Sequence, residues 1–368
     1  CGIMLYYVKI QLNSMEEGPM EKITRRENVL KSYHHEVPWF IPSMSDVDMC
    51  IPSVLEEGPT CPGKSQDGWG TWWLLLDGQP GPMPDETAPV VLEDITEWRE
   101  KVHFPDVEKY DWEKGAAEDT AGWDRENRIS SCIIVNGMWE RFDALCGFEN
   151  ALCNLIAEPE ETYALMSALA DHKIKYIEKI AKYYKPDKIQ MHDDYGTEKA
   201  MFFSPDTWRE IFKPNLKKIV DACHEHGMIY EHHSCGYIVP ILDDFVELGI
   251  DAWNPVQNPN QPLELIRKYK GKLTFVGGFN DRLFVDPSAT DEQKKASIEE
   301  TVRVFGEAGS WMPMPSVGED YRYFANKTIY DFNKPRYDAL GLTGEKFAPP
   351  SEHEEVKAVY ETAESMRK

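Results

Sequence analysis

The chain has 368 residues, of which 42% are hydrophobic and 12% aromatic, so it is long and apolar enough for a large folded core. Its formal net charge of -24 argues against nucleic acid or an anionic membrane surface as a partner. No uninterrupted apolar run approaches the roughly 20 residues that a membrane-spanning helix needs. These properties favour a soluble, cytoplasmic protein.

The cysteines indicate the redox compartment, and the first residue bears on where the domain begins. Eight cysteines occur without any CxxC pair, so we expect reduced thiols in a cytoplasmic protein and no disulfide framework. Cys1 stands where an initiator methionine is expected. We therefore treat residues 1–20 as an N-terminal arm of uncertain structure and residues 21–368 as a single domain.

The first third of the chain contains short, irregular signals. Residues 24–30 begin with a capping box and predict a helix. Residues 39–42 predict a short strand that ends at a proline. The stretch 59–89 is rich in Gly, Pro and Trp and predicts a long structured loop. Its Trp-rich centre, 68–73, either lines a pocket or forms a buried aromatic plug.

Beyond this region strands and helices alternate. Predicted strands span 130–135, 188–191, 228–233, 250–253, 273–276 and 311–314. Predicted helices span 95–102, start near 158 and 204 (the latter broken near Pro214), and span 238–248, 263–269 and part of 291–308. Such alternation with short turns is typical of parallel βαβ units, and no GxGxxG motif follows a strand. We therefore predict an α/β fold, a (β/α)8 TIM barrel.

Barrel geometry separates two histidine-rich clusters. Reactive groups lie where barrel strands end, whereas helices end on the opposite, structural face. Residues 223–226 lie at a predicted helix end, so we expect them to be structural. His232, His233 and Cys235 lie at a predicted strand end, on the active face. Because side chains alternate along a strand, Glu231, His233 and Cys235 face one way and His232 faces the other.

His233 and Cys235 form a candidate metal site. Imidazole nitrogen and thiolate sulfur two residues apart suit zinc. The alternative is a hydrogen-bonded histidine and a buried cysteine that end an ordinary core strand. An inward Glu231 must be paired, protonated or close to a metal. We expect a carboxylate beside the metal, Glu231 first and then Asp193 or Asp194.

Further polar residues follow the neighbouring strands. Asp193 and Asp194 end one strand, although they could instead cap the following segment. Asn254 precedes Pro255 and could simply open a turn, and Asn280 follows a later strand. The candidate catalytic residues are Glu231, Asp193 and Asp194, and the candidate substrate-binding residues are Tyr195, His232, Asn254, Gln257 and Trp72.

With these residues identified, the chain resembles the uroporphyrinogen decarboxylase superfamily. The resemblance extends from residue 24 to about residue 315 and is carried by DDYG at 193–196, SPDTW at 204–208, KP at 213–214, HSCG at 233–236 and NPVQ at 254–257. It implies a single (β/α)8 barrel whose cavity lies at the C-terminal strand ends. Members of this family often form homodimers.

The family contains two functional branches. The decarboxylase uses no metal and holds its substrate's carboxylates with arginines near the N-terminus, but residues 37–42 contain no arginine. The other branch is similar to zinc-dependent methyltransferases that act with a corrinoid on a partner protein. Their zinc motif is HxC followed by a later cysteine. His233 and Cys235 match HxC, but no cysteine follows Cys235, which leaves the third ligand open, with Glu319 as one candidate.

The resemblance therefore implies a methyltransferase component with zinc as Lewis acid. It would move a methyl group from a small methylated substrate, for example a methoxy-aromatic compound, to a corrinoid cofactor on a partner protein. Two alternatives remain open: a tetrapyrrole decarboxylase and a catalytically silent corrinoid-binding barrel.

Overall fold

The computed structural model describes residues 23–55, 62–79, 81–344 and 347–350. The predicted N-terminal arm lies outside the described residues. No helix in the described part of the chain is long and apolar enough to cross a membrane.

The main sheet consists of parallel strands whose order in the sheet follows the chain. They are β1 (Val47–Cys50), β5 (Ile129–Ile134), β6 (Lys188–His192), β7 (Ile229–His233), β8 (Ala252–Val256), β9 (Thr274–Gly277) and β10 (Trp311–Met312). Each neighbouring pair is parallel. A separate antiparallel sheet between β1 and β5 in the chain contains β2 (Gly63–Gln66), β3 (Trp72–Leu75) and β4 (Met83–Pro84). The curled parallel sheet confirms the predicted (β/α)8-type barrel.

Helices connect the strands and pack against the sheet. They are α1 (Arg25–Tyr33), α2 (Trp98–Lys101), α3 (Trp112–Asp119), α4 (Trp139–Cys146), α5 (Phe148–Ala157), α6 (Pro159–Tyr183), α7 (Pro205–Ile211), α8 (Lys213–Glu225), α9 (Leu242–Leu248), α10 (Pro262–Lys268), α11 (Asp281–Val285), α12 (Asp291–Ala308) and α13 (Glu319–Ala339). The predicted break near Pro214 is present, because Phe212 separates α7 from α8 and Pro214 lies in the first turn of α8.

Helix α1 packs against the inward-facing side chains of the strands. The predicted capping box is present, since the Thr24 side chain accepts from the Glu27 backbone and Glu27 accepts from the Thr24 backbone. Val29 and Tyr33 of α1 share a buried cluster with residues of six strands: Val47, Ile129, Ile229, Ala252, Val276 and Met312. Val47, Ile129, Ile229 and Ala252 are the first residues of their strands, so α1 covers the end of the barrel where these strands begin.

The prediction of a strand at 39–42 was wrong. In the structure the Ile41 N–H donates to Asn333 Oδ1 at 2.8 Å, and Asn333 Nδ2 donates to the Ile41 carbonyl at 2.9 Å. A side-chain amide therefore satisfies the backbone groups that a sheet ladder would otherwise use. The first strand begins instead at Val47.

The Trp-rich stretch forms the small antiparallel sheet rather than a loop. Asp67 organises its turn by accepting from the backbone N–H groups of Trp69 and Thr71, both at 2.9 Å, and from Trp73 Nε1 at 2.8 Å. Arg141 Nη1 lies 2.6 Å from the same carboxylate, and both side chains are fully buried. Trp69 and Trp73 are therefore part of a buried plug around an ion pair.

The histidine cluster at the opposite end of the strands is structural, as its position in the sequence predicted. His224, in the last turn of α8, lies with Nε2 2.8 Å from Asp251 Oδ2. Hydrogen bonding to this carboxylate raises the pKa of His224. Asp251 also accepts from the Tyr230 backbone N–H at 2.8 Å, so the pair fixes the connection into β7.

Candidate metal centre

The side chains of β7 alternate between the barrel interior and the surrounding helices. Glu231 contacts Lys188 of the adjacent strand at 2.6 Å, inside the barrel. The His232 ring packs against Phe245 of α9, with ring centroids 4.9 Å apart. His233 follows on the Glu231 side, as strand periodicity predicted.

Three potential ligand atoms meet at the strand ends, in a group that we call the mouth cluster: Asp194, His233 and Cys235. One atom from each side chain lies within 4.8 Å of the other two. His233 Nε2 is 3.6 Å from Cys235 Sγ and 3.7 Å from Asp194 Oδ1. Zinc bond lengths of about 2.0–2.3 Å at a tetrahedral angle place such ligand atoms about 3.4–3.6 Å apart. The mouth cluster therefore fits a zinc ion.

Two loops hold the cluster together through close backbone contact. A Cβ added to Gly236, whose φ is +79°, would lie 2.2 Å from the Gly196 carbonyl oxygen, so this position requires glycine. The Tyr237 N–H donates to the Thr197 carbonyl at 2.7 Å. The Cys235 N–H donates to Asp194 Oδ1 at 2.7 Å. The loops after β6 and β7 thus bring the carboxylate to the thiol.

Asn254 fixes the orientation of the His233 ring. Its Oδ1 lies 2.7 Å from His233 Nδ1, and an amide oxygen can only accept, so Nδ1 carries the proton. Asn254 Nδ2 lies 3.9 Å from Met314 Sδ, which is consistent with that amide orientation. The lone pair of His233 is therefore on Nε2, the atom that faces Cys235 and Asp194. Metal-binding histidines are usually held in this way.

Acidic groups surround the thiol. Burial raises the pKa of Cys235, and the Asp194 and Glu140 carboxylates raise it further. Glu140 accepts from the Asp194 N–H at 3.1 Å, and burial, followed by Asp194 and Asp193, raises the pKa of Glu140 well above its usual range. A divalent cation at the cluster would offset this repulsion and favour the thiolate.

Asp193 is engaged as a helix cap. It is 1% exposed and accepts from the backbone N–H groups of Met138 at 3.1 Å and Glu140 at 3.0 Å, at the start of α4. The Tyr195 hydroxyl donates to it at 2.8 Å. Burial raises the pKa of Asp193 to about 6. Asp193 therefore caps a helix that precedes it in the chain, and not the following segment that the sequence suggested.

Tyr195 and His232 pack together in the core, on the side of the sheet that faces the helices. Both are fully buried, and their rings stack with centroids 5.2 Å apart, among side chains of the outer helices. Tyr195 also packs against Trp208, with centroids 5.9 Å apart. Burial lowers the pKa of His232 to about 3, so the ring is neutral. Because His232 has the outward parity of β7, its ring packs in the core, and its role in substrate binding stays a prediction.

Glu231 is held by an ion pair inside the barrel. Besides Lys188, it accepts from Gln190 Nε2 at 2.6 Å and from the Tyr33 hydroxyl at 2.8 Å. We call these four residues the floor network. The structure therefore brings Asp194, and not Glu231, to His233 and Cys235.

The remaining candidate residues lie outside the three potential metal ligands of the mouth cluster. Gln257 Oε1 accepts from the Gly236 N–H at 2.7 Å and so supports the loop that carries Cys235. Asn280 caps α11. Glu319 is exposed at the start of α13. Trp72 is 38% exposed and lies on the opposite face of β3 from the buried Trp73.

Two groups at the mouth cluster were not predicted from the sequence. His192 stacks on His233, with ring centroids 3.9 Å apart and an interplanar angle of 11°. Its even spacing from Lys188 and Gln190 in the predicted strand could have identified it as inward-facing. Glu140 belongs to α4, a helix that was not predicted.

The chain matches a known protein family. The sequence profile of the family "Uroporphyrinogen decarboxylase (URO-D)" matches residues 124–310, just over half of the chain and the part that contains the mouth cluster. No curated protein matches the chain.

Among solved structures, the fold is similar to that of a methyltransferase from Methanosarcina mazei. That match has a TM-score of 0.60 and 13% identity, and covers 86% of this chain and 100% of the other. A Xaa-Pro dipeptidase with bound methionine matches with a TM-score of only 0.27 and 11% identity over 63% of this chain and 52% of the other, which is too low to support an argument. The profile match and the barrel together show that this chain belongs to the uroporphyrinogen decarboxylase family.

Proposed function

We propose that the chain is a methyltransferase component that transfers a methyl group from a small methylated substrate to a corrinoid cofactor carried by a partner protein. The substrate class that we propose is methoxy-aromatic. The observation that carries the proposal is the mouth cluster, in which His233 Nε2 faces a thiol and a carboxylate while Asn254 holds Nδ1. The fold shared with a methyltransferase is compatible with it.

The residues of the mouth cluster have the chemistry that zinc requires. The Cys235 thiolate and the Asp194 carboxylate together balance the two charges of the ion, and Asp194 replaces the second cysteine that the family motif leads one to expect. Zinc bound there would supply a Lewis acid that stabilises the heteroatom losing its methyl group. A fourth position remains for the substrate, as in catalytic zinc sites.

The other residues position these ligands. Asn254 keeps the His233 lone pair directed at the cluster, and Gln257 holds the Gly236 backbone beside Cys235. Glu140 fixes the backbone of Asp194. These contacts preorganise the site, so that binding the ion costs little rearrangement.

We further propose that the reaction takes place in the cytoplasm. All cysteines among the described residues are free, which agrees with a reducing compartment. The corrinoid acceptor would approach the strand-end face of the barrel, where the mouth cluster lies. Formation of a homodimer belongs to the same proposal.

The test is a methyl-transfer assay with zinc-loaded protein. Purified protein, 2-methoxyphenol and free cob(I)alamin, a substitute for the partner-bound corrinoid, are mixed without oxygen, and methylation of cobalt is followed by absorbance. We expect methylation that requires both the protein and zinc, and Cys235→Ser serves as the matched inactive control. Zinc binding without methylation of cobalt from any of a panel of neutral methyl ethers would instead favour a silent corrinoid-binding barrel.

The decarboxylase alternative has a direct assay of its own. Residues 37–42 contain no arginine to pair with a polycarboxylate, so we expect no conversion of uroporphyrinogen to coproporphyrinogen. Turnover of uroporphyrinogen by the purified protein would contradict the methyltransferase proposal.

A further inference from the structure

His192 is the inward-facing residue at the end of β6. The register of the sheet pairs it with His233 of β7. Lys188 and Gln190, four and two residues earlier, point into the barrel, where both contact Glu231. Side-chain alternation therefore places the His192 ring inside the barrel, at the same level as His233.

The contacts of His192 leave its nitrogen atoms available. Its ring stacks on the His233 ring, nearly parallel and 3.9 Å away. Among the described residues, no group forms a hydrogen bond with either ring nitrogen of His192. The side chain is only partly buried. A polar ring in this position can serve an incoming molecule without first breaking a protein contact.

The chemistry of its neighbours makes this donor distinctive. Asp194 and a Cys235 thiolate accept hydrogen bonds and donate none, and the His233 N–H is already bonded to Asn254. An imidazole carries at least one N–H in either charge state. The stack keeps that N–H within a few ångströms of His233 Nε2. His192 thus offers a hydrogen-bond donor beside a group of acceptors.

We propose that His192 is a substrate-binding residue whose N–H bonds to the heteroatom that carries the methyl group. This inference rests on the proposed function and extends it to a residue outside the ligand set. An ether oxygen accepts such a bond weakly, but it accepts more strongly as negative charge develops while the methyl group departs. The bond would therefore favour the transition state over the bound substrate.

The experiment uses Co(II) in place of zinc and azide as the probe for the open position. Absorption bands of Co(II) report the ligand set and the binding of azide without any turnover. In the wild type and in His192→Gln, which retains an N–H donor, we expect similar azide dissociation constants. In His192→Phe, which keeps the ring stack but has no donor, we expect azide affinity about 10-fold lower, the size of one hydrogen bond to a charged group.

His192→Ala provides the control for the ring stack. It removes both the donor and the ring, so we expect the same loss of azide affinity as in His192→Phe. All variants should bind Co(II) with the wild-type spectrum, because His192 is not a ligand. Equal azide affinity in wild type and His192→Phe, with normal Co(II) spectra, would overturn the role of His192 alone. Failure of the wild type to bind Co(II) would overturn the proposed metal site, and the role of His192 with it.

Discussion

Two groups of ionisable side chains lie at successive levels inside the barrel, on the same pair of strands. The floor network joins Lys188 and Gln190 of β6 to Glu231 of β7, with Tyr33 of α1. The mouth cluster lies at and just beyond the ends of these two strands. Both groups contain a carboxylate, and Glu231 and His233 are successive inward-facing residues of β7.

They differ in whether the protein itself satisfies them. In the floor network a buried ammonium group lies 2.6 Å from the carboxylate, and an amide and a hydroxyl donate to the remaining positions. In the mouth cluster a thiol, an imidazole lone pair and a carboxylate converge, and burial, followed by the nearby acidic groups, raises the pKa of the thiol. A buried charge that has its own partners needs no further cation, whereas converging electron donors favour the binding of a cation from outside the protein.

The largest expected effect comes from breaking the floor network. Lys188→Met leaves the Glu231 charge buried without its cation, so we expect the free energy of unfolding to fall by about 3–5 kcal/mol. Urea denaturation measures this change. The double variant Lys188→Met with Glu231→Gln should recover part of the loss. A loss below about 1 kcal/mol in Lys188→Met would mean that the floor network contributes little to stability.

The next effect concerns the support of the mouth cluster. Asn254→Leu removes the acceptor that holds His233 Nδ1, so we expect zinc affinity to fall about 10- to 100-fold. Competition with a chromophoric chelator measures the dissociation constant. Asn254→Asp keeps an acceptor oxygen and should bind zinc nearly as well as the wild type. If Asn254→Leu bound zinc as tightly as the wild type, the contact that orients His233 would not be needed for metal binding.

His172 is a third case. It is a buried polar side chain that lies outside both the floor network and the mouth cluster. Among the described residues its Nε2 has no hydrogen-bond partner, and burial lowers the pKa of His172 to about 3. The unfolded chain takes up a proton near pH 6.5, so this part of the stability is complete above that pH. It is lost as the pH falls from about 6.5 toward 3, by at most about 1.4 kcal/mol per pH unit.

The variant His172→Phe tests this assignment. Urea denaturation at pH 7 and pH 5 should show a smaller acid loss in the variant than in the wild type. The same pH dependence in both proteins would exclude His172 as its source.

The smallest expected effect is that of the floor network on zinc. Glu231→Gln retains the shape of the side chain and touches no residue of the mouth cluster in the contacts described, so we expect zinc affinity to change by at most about twofold. The same chelator competition measures it. A 10-fold loss would show that the two groups are coupled and would restore Glu231 to the vicinity of the metal.

The same contrast explains how far the sequence could lead. Strand alternation correctly placed Glu231 and His233 on one face, because it depends only on local geometry. It could not show that Lys188, 43 residues earlier in the chain, would reach Glu231, since that contact depends on the sheet register. The sequence therefore suggested that a metal neutralises the Glu231 carboxylate, whereas in the structure Lys188 does so.

The helices also show that local signals could be read from the sequence and distant contacts could not. Helices with clear caps or apolar periodicity, such as α6 and α12, were predicted. Helix α4 was missed because its cap, Asp193, comes from a residue that lies more than 50 positions later. Glu140, which lies in α4 and accepts from the Asp194 N–H, was therefore not predicted either.

The most direct test of the central claim is the zinc content of protein purified without chelators. We expect about one zinc per chain in the wild type and in Glu231→Gln, and almost none in Cys235→Ser, whose fold should remain intact by circular dichroism. Full zinc occupancy in Cys235→Ser, or a wild-type protein that binds no zinc even when it is supplied, would contradict the assignment of the mouth cluster as a metal site.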